Sequence, residues 1–215
     1  MTVKEIIAEI NNVEIDITHF MSIYKTENIV SNYYDWNYKD VIAHLFEWIA
    51  FSKDKLNAIV HNQDFQEVSN IDIFNEQNYV KNKNRQIAEL QNDIIVELNE
   101  YKNIVLLYSD ADLQRKDLPT GFSFELWRYM VMDIGIHPIM HLLYYLLKTK
   151  KYELFFRLCE KYHELFCRYS DGKLEVYSFN EYIEDNKKFT ENMKELGMQY
   201  QNNDMIHLIL KANNI

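Results

Sequence analysis

Glycine occurs only at positions 121, 135, 172 and 197, and proline only at 119 and 138. A chain of 215 residues with so few turn formers cannot be cut into many short strands, because each hairpin needs its own Gly, Asn or Asp turn. Long helices joined by few loops are the expected outcome. The spacing of these glycines also excludes G-x-G-x-x-G dinucleotide fingerprints and phosphate-cradling P-loops. With 47% hydrophobic and 14% aromatic residues, the chain carries enough apolar surface to enclose a substantial core.

Apolar residues recur at helical spacing. Thr2 and Glu5 form a capping-box pattern, after which Ile6, Ile10, Val13, Ile17, Phe20 and Tyr24 follow at intervals of four and three. Such a stripe suits the shallow crossings of a helical bundle. After the polar stretch SNYYDW, Asn37 is an N-cap with Asp40 three residues on, and Val41, Leu45, Trp48, Ser52 and Ile59 mark an inner face. His44 lies on that face. The stretch Asn62 to Glu76 reads as a loop leading to a third helix, whose stripe is Ile87, Leu90, Ile94, Leu98, Tyr101 and Val105.

A fourth helix, about Ser123 to Lys148, is apolar nearly all round and is therefore expected to be the most enclosed. It contains Arg128, Asp133, His137 and His141, so it reads as a buried core helix and not as a membrane span, which needs about 20 largely uncharged residues. Pro138 removes a hydrogen bond to Ile134, and Gly135 stands one turn earlier. A kink or local unwinding is expected there. A fifth helix runs from about Tyr152 to Tyr169 and is closed by SDGK. The tail reads as a short extended piece from Leu174, a helix near Phe179 to Leu196, and a last short helix from Asp204. The expected architecture is all-α, an up-down four-helix bundle over residues 1–150 with a helical C-terminal extension over 151–215.

The net charge of −10 and the scattered basic residues disfavour binding to a nucleic-acid backbone, which relies on clustered Lys and Arg. The N-terminal MTVKEIIAEI has no signal-peptide pattern. Cys159 and Cys167, eight apart on one helix, are separated by about 12 Å and cannot form a disulfide. A reducing, cytoplasmic setting is the expectation, with no membrane partner and homodimer formation plausible from the long stripes.

The chemistry-bearing pattern is His137-x-x-x-His141. Two histidines at i and i+4 have Cβ atoms about 5–6 Å apart and can share one ion at Zn–N distances of about 2.0–2.1 Å. Core histidines satisfied by carbonyls or water would show the same spacing. His44, inward-facing on another helix, is the natural third donor. Asp133, one turn before His137, reads as a fourth ligand, a partner that fixes a histidine tautomer, or a partner of Arg128 or of a neighbouring helix. Cys159, His163 and Cys167 form a similar ladder whose ends lie too far apart to share an ion. His19, His61, His163 and His207 read as surface residues. Trp36, Trp48, Trp127 and Tyr129 are candidates for an apolar wall beside the ion or for plain core packing.

The segment Trp36-Asn37-Tyr38-Lys39-Asp40-Val41-Ile42-Ala43-His44-Leu45 resembles the W-x-x-K-D-V-L-A-H-L opening of the second helix in the DinB-like superfamily, particularly its ClbS/DfsB-type branch. The order of parts is similar too. The third helix ends in a D-x-D-L turn (Asp110 to Leu113), and H-x-x-x-H lies on the fourth. The resemblance covers roughly residues 1 to 148. It implies a four-helix bundle with a facial site for a divalent ion, zinc or nickel, at His44, His137 and His141. It also implies a thiol-dependent transferase using a low-molecular-weight thiol, or a hydrolase acting on a small molecule. A metal-free, ClbS-like protective protein and a non-enzymatic stress-response binding protein are the alternatives.

Overall fold

The computed structural model describes residues 1–24, 36–171, 178–179 and 187–215. Every regular element among the described residues is helical: α1 (Val3–Ile23), α2 (Tyr38–Val60), α3 (Ile71–Asn82), α4 (Ile87–Val105), a 3-10 turn (Asp112–Gln114), α5 (Leu126–Val131), a π-helical turn (Met132–Ile136), α6 (His137–Lys148), α7 (Tyr152–Ser170), α8 (Lys187–Gln199) and α9 (Asp204–Ala212). The expected extended piece from Leu174, and all of the SNYYDW link except Trp36, lie outside the described residues. The chain forms two compact units, Met1–Pro138 and Ile139–Ile215, and the division falls within α6.

In the first unit, α1 begins at the expected capping box. Thr2 Oγ1 accepts from the Glu5 N–H at 3.2 Å and Glu5 Oε2 accepts from the Thr2 N–H at 2.7 Å. Its stripe Ile6, Ile10, Val13, Ile17 and Phe20 is buried. α1 packs on α4 and on the α5–π-turn segment, and α2 packs on α3, α4 and the π-turn. Leu45, Ile49 and Leu56 of α2 and Leu90, Ile94, Leu98 and Tyr101 of α4 are fully enclosed.

α2 starts at Asn37 as its sequence requires. The Asn37 side chain accepts from the Asp40 N–H at 3.1 Å, and Asp40 Oδ2 accepts from the Asn37 N–H at 3.0 Å. Both residues are buried, so no water replaces a lost bond. Asn37→Ala is expected to remove about 1 kcal/mol and to lower the melting temperature by roughly 2–4 °C, read by thermal denaturation.

The stretch Asn62 to Glu76 is not a loop throughout. α3 opens at Ile71 with Asn70 as its cap, Asn70 Oδ1 accepting from the Ile73 N–H at 3.0 Å. Its apolar residues Ile71, Ile73 and Val80 are exposed, and its one fully buried residue is Asn82. A helix that buries amides shows no apolar period, which is why the pattern missed it.

The helix from Leu126 to Lys148 is deformed where Gly135 and Pro138 predict, and the deformation is one π-turn. The His137 N–H bonds to Met132 O, five residues back. The extra residue re-aims everything after it by about 100° around the axis, and such bulges are frequent at functional sites. Length and composition would let this helix cross a membrane, yet 78% of its most apolar window is buried, as a core helix requires.

In the second unit, α9 packs on α7 and α8. Phe155, Phe179 and Phe189 form a ring chain with centroids 6.3 and 5.6 Å apart, and Tyr144 stacks on Phe189 at 5.2 Å. A Cβ at Gly197 would stand 2.8 Å from Leu210 Cδ1, so any larger residue there would make the Leu210 side chain move. Asn192 Nδ2 donates to Leu147 O at 3.0 Å.

Candidate metal centre

His44 sits on the second turn of α2, placed there by the Asn37–Asp40 cap. His137 is aimed by the π-turn that packs against α2. Their Nε2 atoms are 3.1 Å apart and the rings meet edge to face, 5.1 Å between centroids. His141 follows one turn along the same unbroken helix, so the three fall together. One ring nitrogen of each of His44, His137 and His141 lies within 4.8 Å of the other two. Donors on a tetrahedral zinc with bonds of 2.0–2.1 Å stand about 3.3 Å apart. The His44–His137 pair already has that separation. His141 needs to close by no more than about 1.5 Å, within reach of side-chain torsion. A distance of 3.1 Å equally suits an N–H···N hydrogen bond between two neutral imidazoles of opposite tautomer.

The surroundings favour neutral rings. His44 and His141 are each 7% exposed. Burial pushes the His137 imidazole down to about 4, leaving its lone pair available at neutral pH. Trp36 packs on His44 with centroids 4.7 Å apart, and Trp48 stands 6.3 Å from His44 and 5.9 Å from His137. Trp48 Nε1 donates to Asn75 Oδ1 at 2.9 Å, which ties this wall to α3.

The other two aromatic candidates go elsewhere. Trp127 is buried beneath the Arg128 guanidinium, 5.3 Å away. Tyr129 packs against Phe122 and under Lys55 Nζ at 5.3 Å, and its hydroxyl bonds to Asp133. Asp133 also accepts from Ser52 Oγ, whose oxygen is 3.4 Å from the Tyr101 hydroxyl. Desolvation raises the Asp133 carboxyl to about 6, against the hydrogen bonds from Ser52 and Tyr129 and the charge of Lys55. Asp133 is thus held by the hydroxyls of Ser52 and Tyr129, and the metal-ready cluster comprises the three histidines. Arg128 pairs with Glu125 at 3.1 Å.

Cys159 is buried, and burial pushes its thiol well up. Cys167 Sγ lies 3.7 Å from His163 Nε2. His19, His61 and His207 are exposed and His163 is half-buried.

Two groupings near the centre were not read from the sequence. One joins Asp133 and Tyr129 to Ser52 and Lys55, which come from separated segments. The other is Asn75, Asn78 and Asn82 on α3, whose spacing of three and four is the signal that puts amides on one helical face. α3 presents this face to α2, and between the two lies a recess lined by Trp36, Asp40, His44, Asn75, Asn78 and Asn82 among others.

No family model matches the chain, and no curated protein or solved structure is significantly similar to it.

Proposed function

We propose that the chain is a metal-dependent enzyme of the DinB-like type, built as a four-helix bundle, that acts on a small molecule. The observation that carries this reading is the convergence of His44, His137 and His141 on one point, with a motif around His44 that resembles that superfamily independently of the other two histidines. Three neutral nitrogen donors on one side leave the opposite side open, as catalytic sites do and closed structural sites do not. A divalent ion held there, zinc or nickel, would supply Lewis acidity to a substrate oxygen or bind the thiolate of a low-molecular-weight thiol. The chain's own contribution is positional. The α2 cap fixes His44, the π-turn fixes His137, and Trp36 and Trp48 keep water from two sides of the rings. Transfer to a thiol and hydrolysis are the two reactions this arrangement serves. A cytoplasmic location and a homodimer accompany the proposal.

The 3.1 Å pairing of His44 with His137 favours a second reading, a metal-free protective protein of the ClbS type in which the two imidazoles hydrogen-bond directly. The two are separated by analysing protein purified without a histidine tag. The metal reading expects close to one bound zinc or nickel per chain and a raised melting temperature on adding either ion. Absence of both, in wild type as in His44→Ala, refutes it.

A further inference from the structure

Beyond the three histidines, the α2–α3 recess has a chemistry of its own. Asn75, Asn78 and Asn82 line it at helical spacing, and two of these amides are engaged. Asn75 Oδ1 accepts from Trp48 Nε1 at 2.9 Å. Asn82 Nδ2 donates to Glu47 Oε1 at 2.8 Å and to Asn78 O at 2.9 Å, while its oxygen accepts from Arg85 at 3.3 Å. Asn78 differs. Its Nδ2 is shut off from solvent and has no hydrogen-bond partner among the described residues. A buried N–H pair left without an acceptor is costly and rare in folded proteins, so the donor marks a place where an acceptor arrives.

We propose that this recess is a subsite for the neutral carbonyl oxygen of a small ligand, with Asn78 Nδ2 as the hydrogen-bond donor and the Trp36 ring as the apolar wall. Size, charge and neighbours support this. The enclosed volume is about 10 Å³, close to what one water-sized oxygen requires, so it takes the tip of a ligand and not its body. The carboxylate of Asp40 lies in the lining and is buried, which disfavours an anionic oxygen at the same spot. A cation would find the Asn78 N–H dipoles pointing the wrong way. A ketone, ester or amide oxygen meets all three conditions. His44 lines the same recess, which places the carbonyl beside the histidine cluster. The subsite needs no ion, so its test does not stand or fall with the metal reading.

The test follows the side-chain amide of Asn78 by nitrogen–proton NMR in the full-length protein, assigned by its disappearance in Asn78→Ala. The probes are N-methylacetamide, acetate and methylammonium, each with and without added Zn²⁺. The expected result is a saturable shift of the Asn78 amide and the Trp36 indole with N-methylacetamide, whether or not zinc is present. Affinity is expected to be at least about tenfold weaker for acetate, which meets like charge, and for methylammonium. In Asn78→Asp, which keeps the shape and removes the donor, the Trp36 response should be lost. Since the key resonance is read in the wild type, the test survives if a variant fails to fold. Equal response to acetate, no saturable response to any probe, or contact of the Asn78 amide with water alone would overturn the proposal.

Discussion

His137→Ala is expected to weaken Zn²⁺ binding by on the order of 100-fold while leaving the helical content unchanged. Four-ligand zinc sites hold the ion with about 10–16 kcal/mol, or about 3 kcal/mol per ligand, and about 1.4 kcal/mol corresponds to each tenfold change. His44 and His141 would remain, a pair too few to enclose an ion. The half-buried imidazole also packs against Trp48, so the metal-free variant melts lower for a reason unrelated to zinc. The decisive quantity is therefore the gain on adding zinc, not the absolute melting temperature. At an ion concentration 100 times the wild-type Kd, wild type gains about 2.7 kcal/mol and a variant binding 100-fold more weakly gains about 0.4 kcal/mol. His61→Ala serves as the control, because His61 is exposed and outside the cluster. Equal zinc-induced stabilisation in wild type and His137→Ala would remove His137 from the site.

The helical stripes were legible because each repeated one physical demand. Ile6 to Phe20 and Leu90 to Val105 are apolar every third or fourth residue, and the structure buries those positions. Caps were legible for the same reason: Thr2–Glu5 and Asn37–Asp40 carry their partner three residues on. The deformation around Gly135 and Pro138 could be placed, since proline removes a known hydrogen bond. Its form, a π-turn from Met132 to Ile136, could not, because a kink, an unwinding and an inserted residue satisfy that bond equally well.

α3 stayed hidden because what it buries is polar. Asn75, Asn78 and Asn82 gain nothing from leaving water alone, and Asn75 and Asn82 are placed by partners far along the chain, Trp48 and Glu47. The three histidines could be named, since two share a helix and the third has its own motif. What the sequence did not contain was the distance between them, which depends on how α2 meets the π-turn. The same holds for Asp133. A histidine, Arg128 and a neighbouring helix were all open to it from the sequence, and the fold pairs it with Ser52 from α2 and Tyr129 from α5.

The Asp133 cluster gives the second large effect, in stability against pH. Its carboxyl is raised from the ordinary carboxylate value to about 6, so the folded protein holds this proton more tightly than the unfolded chain does. Stability from this group is therefore fully present below the unfolded value and is lost as pH rises through about 6. The facing groups do not cancel the effect. Burial, followed by the Asp133 charge, holds Tyr129 well above its usual range, and burial and Asp133 do the same to Tyr101, so both stay neutral. Lys55, 3% exposed, is engaged with Glu67 and with the carbonyl of Thr120 at 2.7 Å. The difference in unfolding free energy between wild type and Asp133→Asn should accordingly grow in favour of wild type by about 2 kcal/mol between pH 7 and pH 4. Urea denaturation of the metal-free proteins across that range measures it, and subtracting one variant from the other cancels the carboxylates they share. Parallel stability curves for the two proteins would mean that Asp133 ionises as it does in the unfolded chain, and that Ser52 and Tyr129 hold it by geometry alone.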